Sequence, residues 1–204
     1  MEIGVIVVCL LLSAFFSGME IAFVSSNKIY LEIEKKQNSF LSKILTKLTA
    51  KPSKFIVAML IGNNIVMVIY GFFMGELLMQ WFISLGFEFS DVLSLLLQTL
   101  ISAIIVLMTA EFFPKVFFQI YANTLFKFFA IPAYFFYNVF YFISTFFIWV
   151  SDFILKNFFK TEGDNIQLYF SKVELGNYIT EQMSSVEDNE SVDCEILMFQ
   201  NALE

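Results

Sequence analysis

Ile3-Gly-Val-Ile-Val-Val-Cys-Leu-Leu-Leu-Ser-Ala-Phe-Phe-Ser-Gly-Met-Glu-Ile-Ala-Phe-Val24 runs for 22 residues with a single charged side chain, Glu20. About 20 residues of helix cross the ~30 Å hydrocarbon core of a bilayer, so this stretch is long enough to span it. No Lys or Arg precedes the run and no A-x-A site closes it, so it reads as a retained span and not as a cleaved signal peptide. Two further runs of the same kind follow, Phe55 to Met79, opened by Pro52, and Val92 to Phe113. The whole chain agrees with them: of its 204 residues 58% are hydrophobic and only 15% charged, where a soluble domain carries about a quarter. The fold class that follows is an all-α, multi-pass membrane protein with three transmembrane helices in a lipid bilayer.

The connections set the orientation. All basic residues are Lys, and seven of them (Lys28, Lys35, Lys36, Lys43, Lys47, Lys51 and Lys54) lie between the first and second runs. The connection between the second and third holds none. Cytoplasmic loops carry the excess of Lys and Arg, which places the first loop inside and the amino terminus outside. The spacing of Ile29, Leu31 and Ile33, then Phe40, Leu41, Ile44, Leu45 and Leu48, predicts short amphipathic helices on the membrane surface.

The stretch Ala130 to Val150 has no charge, and ten of its twenty-one residues are Phe, Tyr or Trp. That aromatic richness belongs to the headgroup boundary, and lysines flank the stretch equally on both sides. A belt helix lying along the inner surface is the favoured reading and a fourth span the alternative. From about Thr161 the composition turns acidic, with ten carboxylates and one Lys between Glu162 and Glu204. The chain thus divides into a transmembrane part, residues 1–160, and a cytoplasmic acidic helical segment, residues 161–204. In that segment Ser171 with Glu174 forms a capping-box pattern. Its crowded Glu187, Asp188, Glu190, Asp193 and Glu195 repel one another unless cations screen them. The sequence stops inside a helical pattern, so a further domain is expected beyond it.

Several functions are excluded. No His is present, which removes Ser-His and Cys-His catalysis and His-ligated zinc, and no H-E-x-x-H motif exists. An enzyme is not expected. Cys9 and Cys194 have no metal or redox spacing and read as free thiols. The one basic loop lacks the aromatic interleaving of a nucleic-acid surface, so nucleic acid is not an expected partner.

Polar residues inside apolar spans are expensive and usually functional. At about 100° per residue, Ser13, Ser17 and Glu20 share one face of the first span, with Ser25 about a third of a turn away. The second span carries Gly62-Asn63-Asn64, and the third ends in Ala110-Glu111-Phe-Phe-Pro114-Lys115. Counted from the flanking lysines at about 1.5 Å per residue, Ser17 lies ~16 Å, Glu20 ~12 Å, Asn63 ~14 Å and Glu111 ~6 Å from the cytoplasmic ends. Three helices thus offer hydroxyl, amide and carboxylate oxygens in one half of the bilayer, a set suited to a small hard cation. Backbone carbonyls freed where helices break, near Gly18, Gly62 or Ala110, would add to it. The bland alternatives are a serine bonded to its own helix, an asparagine joining helices, and a Glu111 paired with Lys115.

Phe15-Phe-Ser-Gly-Met-Glu-Ile-Ala-Phe-Val-Ser25, Leu60-Ile-Gly-Asn-Asn64 and Glu111-Phe-Phe-Pro-Lys115 together resemble, in order and spacing, the three span motifs of the CorC/cyclin M family of magnesium transporters. The resemblance implies a homodimer in the cell membrane, each subunit with three spans, a juxtamembrane belt helix and an acidic helical bundle, followed by CBS domains. It implies Mg²⁺ as the transported ion, exported against Na⁺ entering. Ser17, Asn63 and Glu111 are the best-matched ligands, and Glu20, Ser25 and Asn64 fall on family positions. Two departures stand out: Ala110 where the family has Gly, and Met67 where it often has Asn. They keep open a second reading, a non-transporting membrane anchor or assembly partner. Gly71-Phe-Phe-Met-Gly75 is a G-x-x-x-G pattern that would serve a dimer contact or one within the subunit.

Overall fold

The computed structural model describes residues 2–37, 39–86, 90–154 and 157, and among these every regular element is a helix. The first span is one helix, α1 (Glu2–Ser25). It stops where Asn27 turns extended and caps α2 (Lys28–Lys36), its Oδ1 accepting from Ile29 N at 2.9 Å and Tyr30 N at 3.3 Å. Ser39 caps α3 (Phe40–Thr49) by accepting from Ser42 N at 3.1 Å. Pro52 stands in the first turn of α4 (Pro52–Ser84), where its missing N–H costs nothing. At 33 residues α4 is about 50 Å long, so it tilts or runs past the hydrocarbon at one end.

The third span joins three pieces without a turn: α5 (Asp91–Val106), a π-helical segment (Leu107–Phe112) and α6 (Phe113–Ile120). It therefore extends to Ile120, beyond the expected end at Phe113. Three helical runs are thus long and apolar enough to cross a membrane: Glu2–Ser25, Pro52–Ser84 and Asp91–Ile120. The acidic segment from residue 161 onward lies outside the described residues, with its capping pattern and Cys194. Cys9 is a buried free thiol.

After α7 (Ala122–Phe128) the expected belt is not one helix but two, α8 (Ala130–Val139) and α9 (Tyr141–Ile154), bent by 70° at Phe140. The sheet of aromatics explains the bend. Phe136 and Phe140 both pack on Phe16 of α1, with ring centroids 4.8 and 6.2 Å away, so α8 is drawn into the helix bundle. α9 then runs against α4 and buries only Ser144. A fourth crossing would require the bent pair to count as one span.

Small residues let the helices meet. α1 packs chiefly on α4, with Met19, Ala22, Phe55, Ala58 and Met59 fully buried between them. A Cβ on Gly62 would lie 2.8 Å from the Phe16 ring and 2.9 Å from that of Phe140, and one on Gly18 would lie 2.5 Å from Phe118. The G-x-x-x-G pair is split: Gly75 faces Gln98 of α5, a contact within the subunit, while Gly71 meets nothing within 4 Å. The lysine-rich end is tied down by side chains. Lys127 donates to Glu34 at 2.7 Å, which holds its ammonium above the ordinary lysine range, and Asn27 N donates to Asn123 Oδ1 at 2.8 Å. Lys47 donates to the Tyr134 hydroxyl at 3.0 Å, and the buried Lys54 sits 3.1 Å above the Tyr141 ring.

Gly62 has rings on two sides, so Gly62→Ala is expected to destabilise the fold by about 1–3 kcal/mol, the cost of overpacking a filled core. Gly71→Ala, in open space, should change stability by less than about 0.5 kcal/mol. Unfolding midpoints of both variants in one detergent check this, and equal midpoints would refute the packing account.

Candidate cation site

Hydroxyls inside apolar helices usually spend their proton on the carbonyl four residues back. Thr99, Thr109, Ser144 and Thr145 all do so, donating to Leu95, Ile105, Phe140 and Tyr141 at 2.6–2.8 Å. Ser17 does not. It is 1% exposed, and its Oγ is buried with no hydrogen-bond partner. An unsatisfied buried hydroxyl costs about 1–3 kcal/mol, so its place on α1 asks for a ligand.

One turn earlier on the same face, Ser13 Oγ donates to Asn63 Oδ1 at 2.6 Å. This bond crosses from α1 to α4 and fixes the direction of the Asn63 amide oxygen, which keeps a second lone pair for another partner. Ser13 was a face-mate of Ser17 in the sequence but not a candidate ligand. Its role as the residue that orients Asn63 required the α4 contact to be seen.

The third component is the π-helical segment, which packs against α1. Such segments interrupt the regular ladder, and here Phe113 N donates to Met108 O, five residues back. Pro114 follows with no N–H at all, so a carbonyl at Thr109 or Ala110 is left without a helical donor. Ala110 is fully buried at this point. Glu111, also in the segment, is half-buried, and its carboxylate lies 3.9 Å from Lys115 Nζ. Lys115 acts electrostatically on the half-buried Glu20 as well.

The remaining candidates stand elsewhere. Asn64, about 100° around α4 from Asn63, is exposed and bonds its own helix at Leu60 O, 2.8 Å away. Ser25 is exposed at the end of α1, where it lines a cavity of about 620 Å³ between α1 and the α6–α7 junction. Gly18 lies one residue from Ser17 and is covered by the Phe118 ring. Among the described residues no three His, Cys, Asp or Glu side chains converge. The arrangement is instead rich in neutral oxygens (a hydroxyl, an amide carbonyl and freed backbone carbonyls) with one carboxylate. Hard cations that take six oxygens accept such a mixture, whereas zinc and softer metals do not favour it.

The family model of the Cyclin M transmembrane N-terminal domain matches residues 4–190. Over 62 residues the chain is 39% identical to a UPF0053 protein of Haemophilus influenzae, covering 30% of this chain and 15% of that one. Over 71 residues it is 35% identical to a UPF0053 protein of Synechocystis, covering 35% of this chain and 16% of the relative. The aligned stretch is thus about a sixth of the length of these curated relatives.

The unpartnered hydroxyl generates a test that involves no cation. Ser17→Ala removes a buried oxygen with no bond to lose, so the variant should be as stable as the parent or more stable by up to about 1–3 kcal/mol. Ser13→Ala, which leaves Asn63 without its donor, should lower stability by about 1 kcal/mol. Unfolding in chelator-containing buffer measures both, and a clear loss of stability in Ser17→Ala would mean that its hydroxyl is already satisfied.

Proposed function

Because the chain belongs to the cyclin M transmembrane domain family, we propose that it carries Mg²⁺ across the cell membrane, outward, with a Na⁺ gradient as the driver. The observation that carries this reading is the buried, partnerless Ser17 Oγ on α1, a helix that packs both on α4, where Ser13 orients Asn63, and on the π segment that bears Glu111. Ser17, Asn63 and Glu111 supply three oxygens. A dehydrated Mg²⁺ needs close to six at ~2.1 Å, and the remainder come from carbonyls near Gly18 and Ala110 or from water. Irregular backbone at membrane depth is tolerated where it lines such a cavity. Glu20, half-buried on the same face of the first span as Ser17, remains a further candidate oxygen donor.

The lysine asymmetry supports an amino terminus outside and the lysine-rich end in the cytoplasm. A homodimer fits the sparse covering of α5, which buries only Ser94 and Val106. A non-transporting anchor is the second reading, kept open by Ala110 and Met67 and by Lys115, which already stands 3.9 Å from the one carboxylate of the set.

The proposal is tested by Mg²⁺ flux and binding in sealed vesicles, with and without a Na⁺ gradient. Glu111→Gln keeps the size and removes the charge. Loss of a unit charge at ~4 Å costs about 4 kcal/mol at an effective dielectric of about 20, so Mg²⁺ affinity should fall at least about hundredfold. Ser17→Ala and Asn63→Ala should each lose transport while remaining folded. Parental flux in a folded Glu111→Gln protein would eliminate the site, and absence of Mg²⁺ binding to the parent would favour the anchor.

A further inference from the structure

Ser17 and Asn63 are neutral oxygen donors, so the charge near them is set by acidic and basic neighbours. On α1, Glu20 is half-buried three residues beyond Ser17, about 60° around the helix from it. On the third span Glu111 is half-buried in the π segment, and Lys115, at the next turn, stands with its Nζ 3.9 Å from the Glu111 carboxylate. The field of the same ammonium reaches Glu20. One lysine thus serves two carboxylates that stand on different, packed helices.

Its place along the helices is as telling as its charge. Val24 of α1 and Gln119 of α6 both line a cavity of about 620 Å³ at the lysine-rich end. Val24 lies one turn beyond Glu20 and Gln119 one turn beyond Lys115, each within ~40° of it around the helix. The order toward that end is therefore Ser17, Glu20, Val24 on α1 and Glu111, Lys115, Gln119 on the third span. On both helices a charged residue stands between the cavity lining and the deepest oxygen of the candidate site.

Two carboxylates alone would present two negative charges, and the ammonium between them leaves one. An ammonium takes the same carboxylate oxygens that a hard cation takes, and its fixed positive charge repels a second cation. Given the Mg²⁺ reading of the site, on which this inference rests, we propose that Lys115 is a tethered counter-cation that holds Glu111 and Glu20 when the ion is absent and lowers the affinity of the site for Mg²⁺. Uncompensated carboxylates in a medium of low dielectric would bind a divalent ion tightly and release it slowly. A lysine one turn away re-forms its pair as the ion leaves. Both partners of the Glu111–Lys115 pair are part-exposed, so the effect is several-fold and not many orders of magnitude.

Mg²⁺ binding to the full chain in nanodiscs, measured by isothermal titration calorimetry at fixed ionic strength, tests the role. Lys115→Gln should tighten binding about three- to tenfold, and the equally uncharged Lys115→Met should do the same, while Lys115→Arg keeps the parental affinity. In sealed vesicles the KM for Mg²⁺ should fall by the same factor in the neutral variants, with no rise in maximal flux. A lysine that merely supports the fold would weaken binding when removed. Unchanged or weaker binding in the neutral variants that fold, with the parent binding Mg²⁺, overturns the role of Lys115 and leaves the site standing. Tighter binding that Lys115→Arg shares would tie the effect to shape and not to charge, and also overturns it. Absence of Mg²⁺ binding from the parent and the neutral variants alike overturns the cation reading itself, and the role of Lys115 with it.

Discussion

The arrangement depends on two places where an aromatic ring occupies the space of a missing Cβ. Phe16 and Phe140 close over Gly62, and Phe118 closes over Gly18. In lipid there is no gain from hiding one apolar helix against another, because the tails are as apolar as leucine; close packing and interhelical hydrogen bonds must do the work. The two glycines permit that packing. They bring α1 against α4 closely enough for Ser13 to reach Asn63 at 2.6 Å, and α6 against α1 closely enough to lay the π segment alongside. A larger residue at either position would separate the helices that bear the oxygens.

The same protein divides its polar groups into two kinds. Most are satisfied locally: Thr99, Thr109, Ser144 and Asn64 return their protons to their own helices. At the lysine-rich end the partners are more distant in sequence, with Lys127 on Glu34, Lys47 on Tyr134 and Lys54 over Tyr141. These contacts make the aromatic α8–α9 pair a counterpart to the lysine-rich connection, so the two stretches of most unusual composition hold each other. Ser17 stands apart from both kinds. Among the described residues its Oγ is the buried side-chain oxygen that lacks a hydrogen-bond partner.

The three spans were legible because hydropathy over about 20 residues is decided by the bilayer and not by tertiary contacts. The helix start at Pro52 was also readable from local chemistry, a proline in the first turn. What depended on packing was not. The 70° bend at Phe140 has no glycine or proline to announce it and follows from rings meeting Phe16. The π segment has Pro114 just beyond it, which signals a break but not its register. Within the site, Ser17 and Asn63 were readable as intramembrane polar residues on facing helices. Asn64 and Ser25 came along by motif adjacency, yet neighbours on a helix point about 100° apart, and the structure turns both away.

The pairing of Glu111 with Lys115 bears on how a charged ligand can be kept at that depth without a permanent ion. An isolated carboxylate there would be driven to take up a proton, because desolvation penalises its charged form. A lysine one turn away supplies a counter-charge, but at 3.9 Å, with the lysine side chain 44% and the glutamate 33% exposed, the pair is loose and worth little. A loose pair leaves the Glu111 carboxylate uncommitted to one fixed geometry. A tight bidentate partner would have committed both carboxylate oxygens; a lysine at the next turn, on α6, does not.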